Sequence, residues 1–182
     1  MSVIVVTGIP GVGKTTVMQK AAEGMEIKFV TFGTVMMDIA KETGLVKDRD
    51  EMRKLTLDQQ RDLQIRAAEK AGGMKNVVVD THCTIKTPKG YMPGLPESVI
   101  KKLKPNTIVL VEADPEEIYN RRLKDITRNR DPDSKDKIAE HQQMNRAVAM
   151  AYAAISGATV KIVFNHDNAI DAAVKEAAPV LE

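Results

Sequence analysis

The residues Gly8-Ile9-Pro10-Gly11-Val12-Gly13-Lys14-Thr15 fit G-x-x-x-x-G-K-[ST] and stand directly behind the apolar run Val3-Ile4-Val5-Val6. Glycines at this spacing let the backbone curl until successive N–H groups converge on one concavity, facing the positive end of the helix that starts near Lys14. Such a nest binds polyphosphate. Gly8 through Thr16 are therefore expected to cradle a nucleoside triphosphate. Within that cradle Lys14 is expected on the β- and γ-phosphates as a point charge, and the Thr15 hydroxyl on the magnesium ion that bridges them.

A second group of acids and bases completes the chemistry. Val77-Val78-Val79-Asp80 ends a buried strand on a carboxylate, which beside a phosphate loop is suited to steady magnesium or its water shell. His82 is expected to touch substrate rather than serve as a base, because a phosphate acceptor is already an oxyanion. From Arg121 to Asp131, five basic residues fall within about three helical turns. Phosphoryl transfer needs several positive forks around the migrating group, and arginine supplies planar, bidentate ones. Arg122, Arg130 and Arg146 are expected to carry this role together with Lys14, ahead of Arg121.

Positioning these groups requires a sheet. Short β-branched runs at Val3 to Thr7, Ile27 to Thr31, Val77 to Asp80, Thr107 to Glu112 and Thr159 to Phe164 alternate with longer amphipathic stretches. That pattern belongs to an α/β protein with a doubly wound parallel sheet covered by helices on both faces. Helices are expected at Lys14 to Glu23, Val35 to Glu42, Thr56 to Ala71, Pro96 to Leu103, Pro115 to Ile126, Lys135 to Ser156 and Ala169 to Ala177. Asp114 as N-cap, Pro115 behind it and Glu116 and Glu117 in the first turn mark one start clearly. The stretches Thr81 to Leu95 and Arg121 to Lys137 are too polar or irregular to be core, and since ligands in such sheets lie outside the carboxyl ends of the strands, where loops of this kind emerge, both are candidates for the site.

The second and third strands are separated by about 45 residues, well beyond an ordinary crossover, so the helices between them have room for a second pocket. One unit over residues 1–182 is expected, with a helical insertion at about 32–73 and a short lid at about 121–137. With 3% aromatic residues and a net charge of +2, nothing favours a nucleic-acid partner. Cys83 is the only cysteine, which excludes a disulfide framework within one chain. The first apolar run is too short for a signal peptide or a membrane span, so a cytoplasmic protein is expected.

The stretches Val6 to Thr16, Phe32 to Thr34, Asp48 to Leu55, Val79 to His82 with Ile85 to Pro96, Thr127 to Asp131 and Glu140 to Ala147 cover most of the chain. Together they resemble the archaeal type of adenylate kinase. The resemblance implies a P-loop nucleoside monophosphate kinase fold with parallel strand order 2-3-1-4-5, ATP and AMP as substrates, ADP as product and a homotrimer. It implies an AMP pocket around Phe32, Gly33, Thr34 and His82. Bacterial adenylate kinases carry two arginines where this chain has Met37 and Thr81-His82-Cys83, so Arg53 is expected on the AMP phosphate, with Arg49 and Lys86 behind it. The lid is short, and Arg122, Arg128 and Arg130 would form its cationic cover.

Two rivals remain open at this stage. One is a P-loop kinase for another small acceptor. The other is an ATP-hydrolysing switch or assembly factor; its GTPase version lacks the needed D-x-x-G and N-K-x-D, since the chain has Asp80-Thr81-His82-Cys83 and Asn165-His166-Asp167-Asn168.

Overall fold

Successive side chains of the central strands face two different helical layers, which is why these strands are apolar throughout rather than alternating. The computed structural model describes residues 2–52, 54–125 and 133–182. Strands β1 (Val3–Thr7), β2 (Lys28–Thr31), β3 (Val77–Asp80), β6 (Thr107–Glu112) and β7 (Thr159–Phe164) form one parallel sheet in the order β2-β3-β1-β6-β7. Counting only these strands, the order is the expected 2-3-1-4-5. Strands β4 (Thr84–Thr87) and β5 (Gly90–Pro93) form a separate antiparallel hairpin.

On one face Val3, Val5, Val79 and Leu110 pack with helices α2 (Phe32–Glu42), α4 (Leu57–Gly72), α5 (Glu97–Leu103) and α7 (Lys135–Ser156). On the other, Ile4, Val6, Val109 and Val111 pack with α1 (Lys14–Ala21), α6 (Pro115–Lys124) and α8 (Ile170–Ala177). A four-residue helix, α3 (Arg49–Met52), lies between α2 and α4. The caps follow their sequence signals. Thr56 and Gln59 close a capping box on α4, and the Glu117 carboxylate accepts from the Asp114 N–H at the start of α6.

Two expectations about local structure are corrected. The stretch Thr81 to Leu95 is not all loop but contains the hairpin, whose turn is set by Gly90 at φ 120° and by the Thr87 hydroxyl donating to the Gly90 carbonyl at 2.8 Å. Strands of four residues with a proline give too little alternation to be seen in sequence. Helix α2 begins at Phe32 rather than Val35, so Phe32-Gly33-Thr34 is its first turn. Burial of Phe32 anchors that turn despite the low helix propensity of Gly33.

The sheet brings the chemistry to one edge. Val6 pairs with Asp80 and Thr7 with Leu110, so the glycine loop leaves β1 one strand away from the Asp80 carboxylate and next to the end of β6.

Candidate active site

The loop from Gly8 to Gly13 curls as its glycines allow. Gly11 and Gly13 have φ of 93° and 82°, a region costly for other residues. Gly13 is the N-cap of α1 and no side chain caps this end, so the first-turn N–H groups are left to a ligand. Lys14 Nζ stands 3.1 Å from Asp80 Oδ1, and the Thr15 hydroxyl donates to Asp80 Oδ2 at 3.3 Å. These three side chains border a recess of about 820 Å³, together with Thr16, Thr31 and Arg121.

From outside, the loop is gripped by its carbonyls. Arg122 Nε donates to the Pro10 carbonyl at 2.8 Å, while the Val12 carbonyl accepts from Asn165 Nδ2 at 2.8 Å and from Arg121 NH1 at 3.4 Å. Adjacent residues of a helix point apart, so Arg121 and Arg122 reach different parts of the loop. Arg121 also donates to the Asn165 carbonyl at 2.8 Å and pairs with Asp167 at 2.7 Å, which ties the end of β7 into the same frame. With the carbonyls held outward, the N–H groups face the recess.

A second cavity of about 370 Å³ opens beside the first and shares Pro10 and His82 as walls. Its other sides are the hairpin residues Thr84, Ile85 and Lys86, with Arg122, Asp133 and His141. Asp133 bridges two cations here, at 2.6 Å from Lys86 and 3.1 Å from Arg122. Burial alone would raise the Asp133 carboxyl, but the hydrogen bond and charge of Lys86, followed by those of Arg122, outweigh it and hold the carboxyl below its usual range. His141 Nε2 lies 3.0 Å from the Thr84 hydroxyl, which in turn donates to Asn145 Oδ1 at 2.6 Å. Burial lowers the His141 pKa against the opposing Thr84 hydrogen bond, and Lys86 and Arg122 push the same way. Burial likewise pushes the Cys83 thiol up to about 12, so it is an inert core group.

Of the expected site residues, Ile9, Pro10, Gly11, Gly13, Lys14, Thr15, Thr16, Asp80 and His82 line the recess. Gly8 and Val12 act from behind it. A Cβ on Gly8 would come 2.5 Å from the Val111 carbonyl, and the Val12 side chain is buried in the core. Phe32 is corrected to a core residue, 5% exposed, while Gly33 and Thr34 are exposed in the first turn of α2. Arg146, expected among the catalytic cations, is placed on a carboxylate. It is not among the residues lining either cavity and clamps Glu112, at the end of β6, with Nε at 2.9 and 3.1 Å from the two carboxylate oxygens. Arg53, Arg128 and Arg130, with residues 126–132 of the expected lid, lie outside the described residues, as does the Arg49 side chain.

Sequence reasoning missed Asn165, ranked Arg121 below its neighbours and gave no role to His141. The segment Asn165 to Asn168 carries no motif of its own beyond the absent guanine signature. Its place after the last strand, at the carboxyl edge, was the available signal.

A family model described as an AAA domain matches residues 7–139. The adenylate kinase of Methanothermobacter thermautotrophicus is 52% identical to this chain over 185 residues, covering all of both chains. The chain belongs to the adenylate kinase family. The adenylate kinase of Methanocaldococcus jannaschii is 54% identical over 99% of this chain and 98% of its own. Among solved structures, the shikimate kinase of Bacteroides thetaiotaomicron matches with a TM-score of 0.61 over 99% of this chain and 98% of its own, at 14% identity, a likeness of fold.

As a member of the adenylate kinase family the chain is a phosphotransferase with a nucleotide-binding P-loop. In this adenylate kinase family member the loop, Asp80 and Arg121 line one recess, and the hairpin cavity, lined by Arg122, adjoins it. No helix among the described residues is long and apolar enough to cross a membrane.

Proposed function

We propose that this chain catalyses the reversible, magnesium-dependent transfer of the terminal phosphoryl group of ATP to AMP, giving two ADP. One observation carries this reading. Two recesses share Pro10 and His82 as a common wall, one bordered by Lys14, Thr15 and Asp80 and the other by Lys86 and Arg122. A hydrolase needs one recess and a water; transfer between two nucleotides needs two recesses meeting at the phosphates.

In this reading Lys14 and the N–H groups of Gly11 to Thr16 hold the β- and γ-phosphates, and Arg122 compensates charge on the migrating group. Thr15 and Asp80 offer hard oxygen donors side by side at the loop mouth, 3.3 Å apart, which suits magnesium. When bound, that ion supplies charge neutralisation of the phosphate oxygens. The helical segment 32–73 forms the acceptor arm with Gly33, Thr34 and Arg53, and segment 121–137 forms the lid with Arg128 and Arg130. The reading extends to a cytoplasmic homotrimer. Exposed apolar side chains Met150 and Ile155 on α7 support an assembly, and sedimentation velocity tests it.

The testing experiment is an acceptor screen with purified protein, Mg-ATP and a panel of nucleoside monophosphates and small metabolites. AMP is expected to give the highest kcat/KM. Preference for another acceptor would replace it with a related kinase, and ATP consumption independent of every acceptor would replace it with a switch ATPase.

A further inference from the structure

We infer that Asp114, Glu117 and His166 form a site for one divalent transition ion, zinc above all, set apart from the magnesium of the reaction.

Three donors from two segments meet there. Asp114 is the N-cap of α6 and Glu117 lies three residues on, so their carboxylates share one face of the helix start. His166 comes from the chain just after β7. Its Nδ1 stands 3.1 Å from a Glu117 carboxylate oxygen and 3.6 Å from one of Asp114, and one donor atom from each residue lies within 4.8 Å of the other two. Around a tetrahedral zinc ion with bonds of about 2.0–2.1 Å, neighbouring donors are about 3.3–3.4 Å apart. The two imidazole spacings bracket that value. Asp114, with a side chain 69% exposed, is free to turn and close the remaining one.

The donors are held by their neighbours. Glu117 accepts from the Asp167 N–H at 2.7 Å with one oxygen and from the Asp114 N–H at 3.1 Å with the other, which orients the carboxylate as an outer shell does. The imidazole lies parallel to the Phe164 ring, with 4° between planes and 5.8 Å between centroids, and this stack directs Nδ1 at the carboxylates. An ion takes the place of the Nδ1 proton that bonds Glu117, and the neutral ring then carries its proton on Nε2. One imidazole with two carboxylates suits zinc or cobalt better than magnesium, and the exposed side leaves a fourth position to water.

The site joins the two segments that grip the phosphate loop. Helix α6 carries Arg122, on the Pro10 carbonyl, and Arg121, on the Val12 carbonyl; Asn165, beside His166, holds the Val12 carbonyl as well. A bound ion cross-links these segments without being spent in the reaction, since none of its three ligands is among the residues lining either recess.

Isothermal titration of the full-length, nucleotide-free protein with Zn2+ and Mg2+, and the visible absorption of its Co2+ form, test the site. Wild type is expected to take up one Zn2+ per chain, at least about 100-fold tighter than Mg2+. His166→Gln and Glu117→Gln should each weaken Zn2+ at least about ten-fold, since even an outer partner of a metal ligand is worth about 10–100-fold. His166→Gln should also lose the Co2+ bands, whereas His82→Gln and His141→Gln keep them. Saturating Zn2+ should raise the urea midpoint of the wild type and leave that of His166→Gln unmoved, a comparison that holds even if the variant is less stable. No stoichiometric uptake of Zn2+, or uptake that survives His166→Gln, overturns the inference. Nucleotide is absent throughout, so the outcome is independent of which acceptor the enzyme uses.

Discussion

Asn165 donates its side-chain amide to the Val12 carbonyl at 2.8 Å, joining the end of the last strand to the middle of the glycine loop. The contact is tight enough that a Cβ on Gly13 would lie 2.6 Å from the same amide nitrogen. Gly13 is thus needed for its conformation and for the room it leaves, and the loop's shape depends on a residue 153 positions beyond Val12 in the chain.

Replacing Asn165 with Ala removes the shorter of the two bonds to a buried carbonyl and leaves Arg121 at 3.4 Å. A stability loss of about 1–2 kcal/mol is expected in urea unfolding. Because the loop holds the donor, KM for ATP should rise by roughly ten-fold with KM for AMP little changed, as one lost hydrogen bond predicts. Initial rates with each substrate varied in turn measure the split.

Lys14→Ala removes a preorganised cation from the triphosphate recess and releases Asp80 from its 3.1 Å partner. Turnover should fall by at least ~100-fold. A variant with near-normal kcat would mean that the loop is not the donor site.

Arg146→Ala separates a stabilising role from a catalytic one. Glu112 is 4% exposed and would lose its bidentate partner, whereas the Arg146 side chain is itself 48% exposed. Discounting for that exposure, a loss of about 2 kcal/mol is expected by thermal or chemical unfolding. Assayed well below its melting temperature, the variant should keep kcat within about three-fold, against the ~100-fold expected of a lost phosphate contact.

His141 gives a pH signature. Unfolded, its imidazole protonates near its ordinary pKa of about 6.5, and in the folded protein only at lower pH. Unfolding between those values takes up a proton, so stability rises with pH across the interval and is lost as pH falls through it. His141→Gln, which keeps a group for the Thr84 hydroxyl, should flatten that slope. Urea midpoints of both proteins from pH 5 to 7 provide the comparison.

How far the sequence carries is visible in individual residues. The central strands are legible because burial on both faces makes Val3 to Thr7 and Thr107 to Glu112 almost wholly apolar, and the loop because its glycines recur at fixed spacing. Lys14, Thr15 and Asp80 could be placed together since each follows or ends such an element. The hairpin could not, as its four-residue strands owe their pairing to Gly90 and Thr87 and not to hydrophobic alternation. The direction of Arg146 is not legible, because charge type is local information: only the packing of α7 on β6 shows that its fork closes on Glu112. Asn165 was hidden for the same reason, since a tertiary contact with a backbone carbonyl leaves no motif.

The central claim is direct transfer between two nucleotides held in adjoining recesses. It is tested most directly by incubating the protein with Mg-ATP labelled in its γ-phosphate, with and without AMP, and locating the label. The account predicts label in the β-phosphate of newly formed ADP, dependent on AMP, with little inorganic phosphate in its absence. Label released as inorganic phosphate at the same rate without AMP would contradict it.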